Sequence, residues 1–235
     1  MTIIGTDISH WEDDPDTPKR VDFDKMENAG AHFCIFKATQ GRFVTDLVFT
    51  KDYDRCPLIK GAYHYLDWKD DADKQAAHFC EVIAGHKLDF PPIVDFECRT
   101  NPPDKTTATK ELWAFITIVK NKTGRAPMIY TGPSYWVEYG SPGSGWAGYP
   151  LWIAHYTKLP NPTIPAPWSG CYLWQYTDKG DGPKYGVEAK SVDLNRFDGT
   201  IGQLKGWLGI DEPEPVQPTN DQMLQKLWDA HPELH

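Results

Sequence analysis

The sequence predicts an α/β domain of mainly parallel strands, either a barrel or a doubly wound sheet, on three observations. Short apolar strands alternate with amphipathic helices from residue 2 to residue 131, the pattern of successive βα units with right-handed crossovers. After residue 140 three further strands are joined by Gly- and Pro-rich loops without a convincing helix. Several of the strands end in acids or large aromatic residues, and in βα barrels that C-terminal rim carries the active site. The 235 residues, 40% of them hydrophobic, suffice for one large domain with a small appendage.

Taken in order, residues 2–9 (TIIGTDIS) read as the first strand, with Asp7 near its end. A Pro- and Asp-rich loop leads to a helix over 21–30, where Phe23 and Met26 share a face and Gly30 is the stop signal. HFCIFKA (32–38) is the second strand, and 45–56 a helix capped by Thr45 and closed off by Pro57. IKGAYHYL (59–66) is the third strand. The helix over 70–86 turns Ala76, Ala77, Phe79, Cys80 and Ile83 inward. PIVDFE (92–97) is the fourth strand, followed by the clearest helix, 106–123, with Leu112, Phe115, Ile116 and Val119 as its apolar stripe and Gly124 behind it. APMIYT (126–131) is the fifth strand; LWIAHY (151–156), YLWQY (172–176) and SVDLNRF (191–197) supply the last three, and 201–208 a closing helix.

The domain is expected to span 1–209. Residues 210–218, with three prolines and three acids, have the composition of an extended linker. In 219–235, Met223, Leu224, Leu227 and Trp228 fall on one helical face; such a tail is too short for a core of its own, so it is expected to pack back on the barrel or mediate weak self-association, with a remnant of a targeting module as the alternative.

Composition removes several function classes. A net charge of −9 without clustered Lys or Arg argues against nucleic acid as a partner. Five widely spaced cysteines without CxxC spacing argue against a disulfide framework or a metal centre. No GxGxxG or GxxxxGKS follows a strand, so no nucleotide cofactor is implied, and no cofactor of another kind is signalled. No run of 18 apolar residues suggests membrane insertion, and residues 1–20 lack a basic segment followed by an apolar run, so synthesis in a bacterial cytoplasm without a signal peptide is expected. Aromatics reach 13%, and Trp and Tyr are the flat, amphipathic surfaces on which sugar rings stack.

The chemistry centres on Asp95 and Glu97. Alternation along a strand puts both on one face with Cα atoms roughly 6.5–7 Å apart. Burying such a pair is costly without cations, and the chain offers none beside it before Arg99. If the first, fourth and last strands belong to one barrel, Asp7 and Asp193 meet where it closes, across the mouth from Asp95 and Glu97. Four carboxylates in one concave site cannot all ionise, so one stays protonated beside charged neighbours. That split suits glycoside hydrolysis, which needs a proton donor and a charge stabiliser; by itself a DxE pattern also fits a metal site or a salt bridge. Tyr63, Tyr65, Tyr130, Trp152, Tyr156, Trp174, Gln175 and Tyr176 recur near strand ends, where they suit sugar contacts better than metal ligation. His64 and His155 read as structural.

The motifs GTDISHW (5–11), GAYHY (61–65), PIVDFE (92–97), PMIYT (127–131), LWIAHY (151–156), LWQYT (173–177) and VDLNRF (192–197), in this order, resemble the family 25 glycoside hydrolases. These are muramidases, the Chalaropsis-type lysozymes of phage endolysins and of bacterial and fungal secreted enzymes. The resemblance covers about residues 2–208. It implies a flattened, irregular β/α barrel of about eight strands and five helices, and cleavage of the β-1,4 bond between N-acetylmuramic acid and N-acetylglucosamine of peptidoglycan with retention.

Motif by motif, it implies Glu97 as general acid and Asp95 as the partner that orients the substrate's 2-acetamido group. Asp7 and Asp193 would tune charge, and Tyr63, Tyr130, Trp152, Tyr156 and Gln175 would line sugar subsites. Glu12 is a departure, since many members carry Gln there. The expected setting is that of a phage or prophage endolysin reaching the wall after release from the host. A chitinase-like hydrolase and a catalytically silent wall-binding module are the alternatives.

Overall fold

The computed structural model describes residues 2–14 and 16–210. The expected tail helix, and the expected linker apart from Ile210, lie outside the described residues.

Among the described residues nine strands form in chain order: β1 (Ile3–Ile8), β2 (Ala31–Gln40), β3 (Val44–Thr45), β4 (Ile59–Tyr65), β5 (Ile93–Asp95), β6 (Met128–Thr131), β7 (Leu151–Ala154), β8 (Leu173–Asp181) and β9 (Ser191–Phe197). Eight of them close into a barrel in the order β1-β2-β4-β5-β6-β7-β8-β9, with β9 returning to β1; β3 is a short hairpin strand on the end of β2. Neighbours from β1 through β8 run parallel, whereas β9 is antiparallel to both β8 and β1. The antiparallel closure follows from the connections: strands that run parallel need a crossover, and the link from β8 to β9 is too short to supply one. Register shifts interrupt β1/β2, β2/β4 and β8/β9, which makes the barrel irregular.

Six α-helices are described: α1 (Phe23–Asn28), α2 (Leu47–Asp52), α3 (Ala72–Ile83), α4 (Lys105–Thr123), α5 (Pro133–Tyr139) and α6 (Ile201–Leu208). The sequence reading expected about five, and α5 is the addition. Its signal is Gly132-Pro133, since proline at the first helical position costs no hydrogen bond and presets φ. The helix expected over 45–56 is shorter and its cap is Asp46, whose carboxylate accepts from the Val48 N–H, while Thr45 belongs to β3. The fourth strand stops at Asp95, and Glu97 stands just beyond its end.

Period-two alternation sorts the strand residues into two cores. Outward-facing Phe36, Ala62, Val94, Ile129 and Ile153 pack against the helices, with Phe79, Leu112, Phe115 and Ile116 among their partners. Inward-facing Ile3, Phe33, Ile35, Ile93, Met128, Leu173 and Phe197 fill the barrel, and Leu204 and Leu208 of α6 complete this inner cluster. Gly5 is required by this inner packing, because a Cβ there would lie 2.3 Å from the Phe33 ring. An apolar plug thus occupies the lower barrel. The inward-facing acids gather at the upper end, where the parallel strands finish.

Candidate active site

Inward positions of seven barrel strands, with Glu97 just beyond β5, meet in one narrow cavity of about 70 Å³, lined by Asp7, Tyr63, Asp95, Glu97, Tyr130, Trp152, Gln175 and Asp193. Each arrives by alternation. Asp7 follows Ile3 and Gly5 on β1, Tyr63 follows Gly61 on β4, Asp95 follows Ile93 on β5, and Gln175 follows Leu173 on β8. Tyr156, the ninth residue singled out from sequence, does not line the cavity. It stands half-exposed at the rim, and its hydroxyl donates to Gln175 Oε1 at 2.6 Å.

The closing seam is tightly braced. Asp7 and Asp193 are register partners across β1 and β9. Gln175 Nε2 donates to Asp7 Oδ2 at 2.9 Å and to Asp193 Oδ2 at 3.3 Å, and Asn195 Nδ2 donates to the same Asp7 oxygen at 2.6 Å. Tyr130 Oη–H donates to Gln175 Oε1 at 2.9 Å, and Trp152 Nε1–H to Asn195 Oδ1 at 2.8 Å. Gln175 therefore braces four cavity or rim residues at once. Asp7 is held fast, with two amides converging on one of its oxygens.

Asp95 is different. It is buried, yet its Oδ1 has no hydrogen-bond partner among the described residues. A buried carboxylate oxygen left unpaired costs free energy, so its environment favours a donor that arrives with a ligand. Glu97 beside it is only partly buried.

All four carboxyls are pushed upward, and burial is the first cause in each. Asp7 rises to about 7 against the amides that hold its charged form, and Asp193 to about 9 with the Asp7 charge as its second cause. Asp95 rises well above the usual carboxylate range through burial and the neighbouring Glu97 charge, opposed by Lys37. Glu97 rises through burial, opposed by Arg99. The four groups share fewer than four charges at neutral pH.

This has a stability consequence. The unfolded chain loses the protons of Asp7 and Asp193 near 3.8, the folded protein only near 7 and 9. Their contribution is therefore full below about pH 4 and is lost as pH rises through the folded values. Asp193→Asn should raise the melting temperature at pH 8 by several degrees, at about 2–4 °C per kcal/mol for a chain of this size, and flatten its fall between pH 4 and 9. Melting curves across that range check it; a variant as pH-sensitive as the wild type would refute the assignment.

A model of the glycosyl hydrolases family 25 matches residues 6–185. The chain belongs to glycosyl hydrolase family 25. Over 221 residues it is 31% identical to the uncharacterized protein YegX of Escherichia coli, covering 90% of this chain and 75% of that one. Lysozyme M1 of Streptomyces globisporus is 28% identical over 217 residues, 86% of this chain and 70% of the relative. Among solved structures, the bacterial lysozyme from Streptomyces coelicolor superposes with a TM-score of 0.76 at 25% identity, over 89% of this chain and 98% of that one.

Two residues of this family 25 hydrolase that the sequence reading passed over belong to its site. Lys37 is buried on β2, in line with inward-facing Phe33 and Ile35, and its Nζ donates to Gln40 Oε1 at 2.7 Å. Its charge acts on Asp95. The sequence showed no cation beside Asp95 and Glu97 before Arg99; the barrel brings one from a different strand. Asn195 is the second, and its place two residues after Asp193 on one strand was the available signal.

Glu12, in the stretch that departs from the expected motif, accepts from the Ser9 N–H at 2.7 Å and the Ser9 hydroxyl at 2.9 Å, and so braces the first loop. His64 faces outward between Thr39 Oγ1 (2.7 Å) and Gln75 Oε1 (3.0 Å), pushed by burial down to about 3, in keeping with its structural reading.

Proposed function

We propose that this glycoside hydrolase cuts the β-1,4 bond between N-acetylmuramic acid and N-acetylglucosamine in bacterial peptidoglycan, with retention. The observation that carries the reading is the unpartnered Oδ1 of buried Asp95 beside the less buried Glu97. A direct protein nucleophile belongs across the sugar from the acid. Asp95 and Glu97 instead leave one strand end side by side, and Asp7, nearest to the opposite role, is bound by two amides. The nucleophile that remains is the substrate's own 2-acetamido oxygen.

Each step then has a residue. Glu97, its carboxyl raised by burial, donates its proton to the glycosidic oxygen as the C1–O bond breaks. The acetamido oxygen closes on C1 from the far face while its N–H donates to Asp95 Oδ1. That hydrogen bond favours charge on Asp95, as Lys37 does, so the remaining proton of the pair stays on Glu97 until it is used. The cyclic intermediate is opened by water, whose proton Glu97 takes back, and two inversions at C1 give net retention. Tyr63, Tyr130 and Trp152 form the walls against which the sugar ring is held.

Digestion of purified peptidoglycan followed by mass spectrometry tests the bond assignment. Fragments ending in reducing N-acetylmuramic acid are expected. Reducing N-acetylglucosamine ends, or activity confined to chitin, would overturn it, and binding to walls without release of fragments would favour a silent binding module.

A further inference from the structure

A second cluster of aromatic and cationic side chains lies on the outer wall of the barrel. Helix α4 buries Ala108, Leu112, Phe115, Ile116 and Val119. Thr106, Thr109, Lys110 and Trp113 fall at i, i+3, i+4 and i+7 of the same helix and so form a second stripe, away from the core. With Lys105, Ser141 and Trp146 they line an open depression of about 540 Å³. None of these residues lines the catalytic cavity. Helix α4 is the helix that follows β5 in the chain, after the loop over 96–104.

The aromatic floor is preset. Trp113 is 52% exposed, and its ring stands edge-on to Trp146 (5.7 Å, 87°) and Tyr149 (6.3 Å, 89°). Trp146 is itself buried and edge-on to Trp136 at 5.6 Å, so the indole is anchored through the core. An indole that is both large and held at a fixed angle loses little entropy when a ligand stacks on it. Lys105 is steadied by donating to the Val137 carbonyl at 2.8 Å. In a chain of net charge −9, two ammonium groups beside one exposed indole make a local site for an anionic ligand with a flat apolar face.

We propose that this depression is a second binding site for peptidoglycan, with an N-acetylated sugar ring stacked on Trp113 and a stem-peptide carboxylate against Lys105 and Lys110. The proposal rests on the muramidase reading. A single indole framed by lysines matches one pyranose face and an attached acid. A stable protein interface buries about 800 Å² of surface on each partner, much more than one exposed indole and two lysines supply. Bound here, an uncut stretch of the polymer keeps the catalytic mouth on an insoluble wall between cleavage events, while short soluble chains gain nothing from it.

Trp113→Ala and Lys110→Glu are compared with the wild type on insoluble sacculi and on a soluble tetrasaccharide of alternating N-acetylglucosamine and N-acetylmuramic acid. Each variant should lose roughly fivefold or more on sacculi, equivalent to about 1 kcal/mol, and stay within about twofold on the soluble substrate. Sedimentation with sacculi should show the same weakening. Variants that match the wild type on both substrates, or that lose equally on both, overturn the second site; Lys110→Glu, a surface change, separates a binding loss from a folding loss. A wild type that cuts neither substrate instead overturns the muramidase reading on which the site depends.

Discussion

Glu97→Gln should lower kcat on peptidoglycan by roughly 10²–10⁴-fold, the range a positioned proton donor contributes, with the fold intact. The substituted amide has nearly the shape of the acid but no acidic proton for the leaving oxygen. Because the native carboxyl is raised above its ordinary value of 4.5 by burial, the wild type should keep its acid form, and its activity, above that pH and lose activity as the group ionises. In the variant this alkaline limb should vanish. Release of reducing ends as a function of pH measures both. A variant with wild-type turnover would remove Glu97 from the mechanism, and an unfolded one would make its role structural.

Asp95→Asn should be similarly damaging, by roughly 10²-fold or more, for a different reason. The asparagine oxygen can still accept one hydrogen bond, but it cannot carry the charge that stabilises a developing oxazolinium cation in a water-poor cavity. The effect should fall on kcat more than on KM, because that charge develops only in the transition state. The native carboxyl is buried and raised by the Glu97 charge, so the neutral replacement should hold or increase thermal stability above pH 4. Parallel kinetics and melting curves decide between a catalytic and a structural role. Loss of both activity and stability would point to the latter.

Most of the lining of the candidate active site was legible in the linear sequence for a simple reason. Strand alternation assigns a side chain to the inside or outside of a barrel, and position along the strand assigns its height. Asp7, Tyr63, Asp95, Tyr130 and Trp152 are inward on parallel strands and high in the barrel, Gln175 is the inward residue after Leu173 on β8, Asp193 reaches the same height near the start of antiparallel β9, and Glu97 continues the alternation past β5. The same alternation places Lys37 in line with Phe33 and Ile35 and Asn195 in line with Asp193, although neither residue type signals an acid or a sugar platform by itself. Helix α5 was missed because its seven residues are too few to show periodicity, leaving only its Gly-Pro start as a sign.

By itself, then, the sequence determined which residues look into the barrel and that its upper end is acidic and aromatic, because both follow from local geometry. Contacts made across the barrel were decided only by tertiary structure. Closure in register sets Asp7 opposite Asp193 and brings Asn195 against Asp7 across 188 positions of chain. It makes Gln175 a brace between Asp7, Asp193, Tyr130 and Tyr156. It also places the Lys37 charge where it acts on Asp95 and leaves Asp95 Oδ1 without a partner. The physical reason is that proton affinity and hydrogen-bond satisfaction depend on distance and burial in three dimensions, which alternation along one strand does not encode.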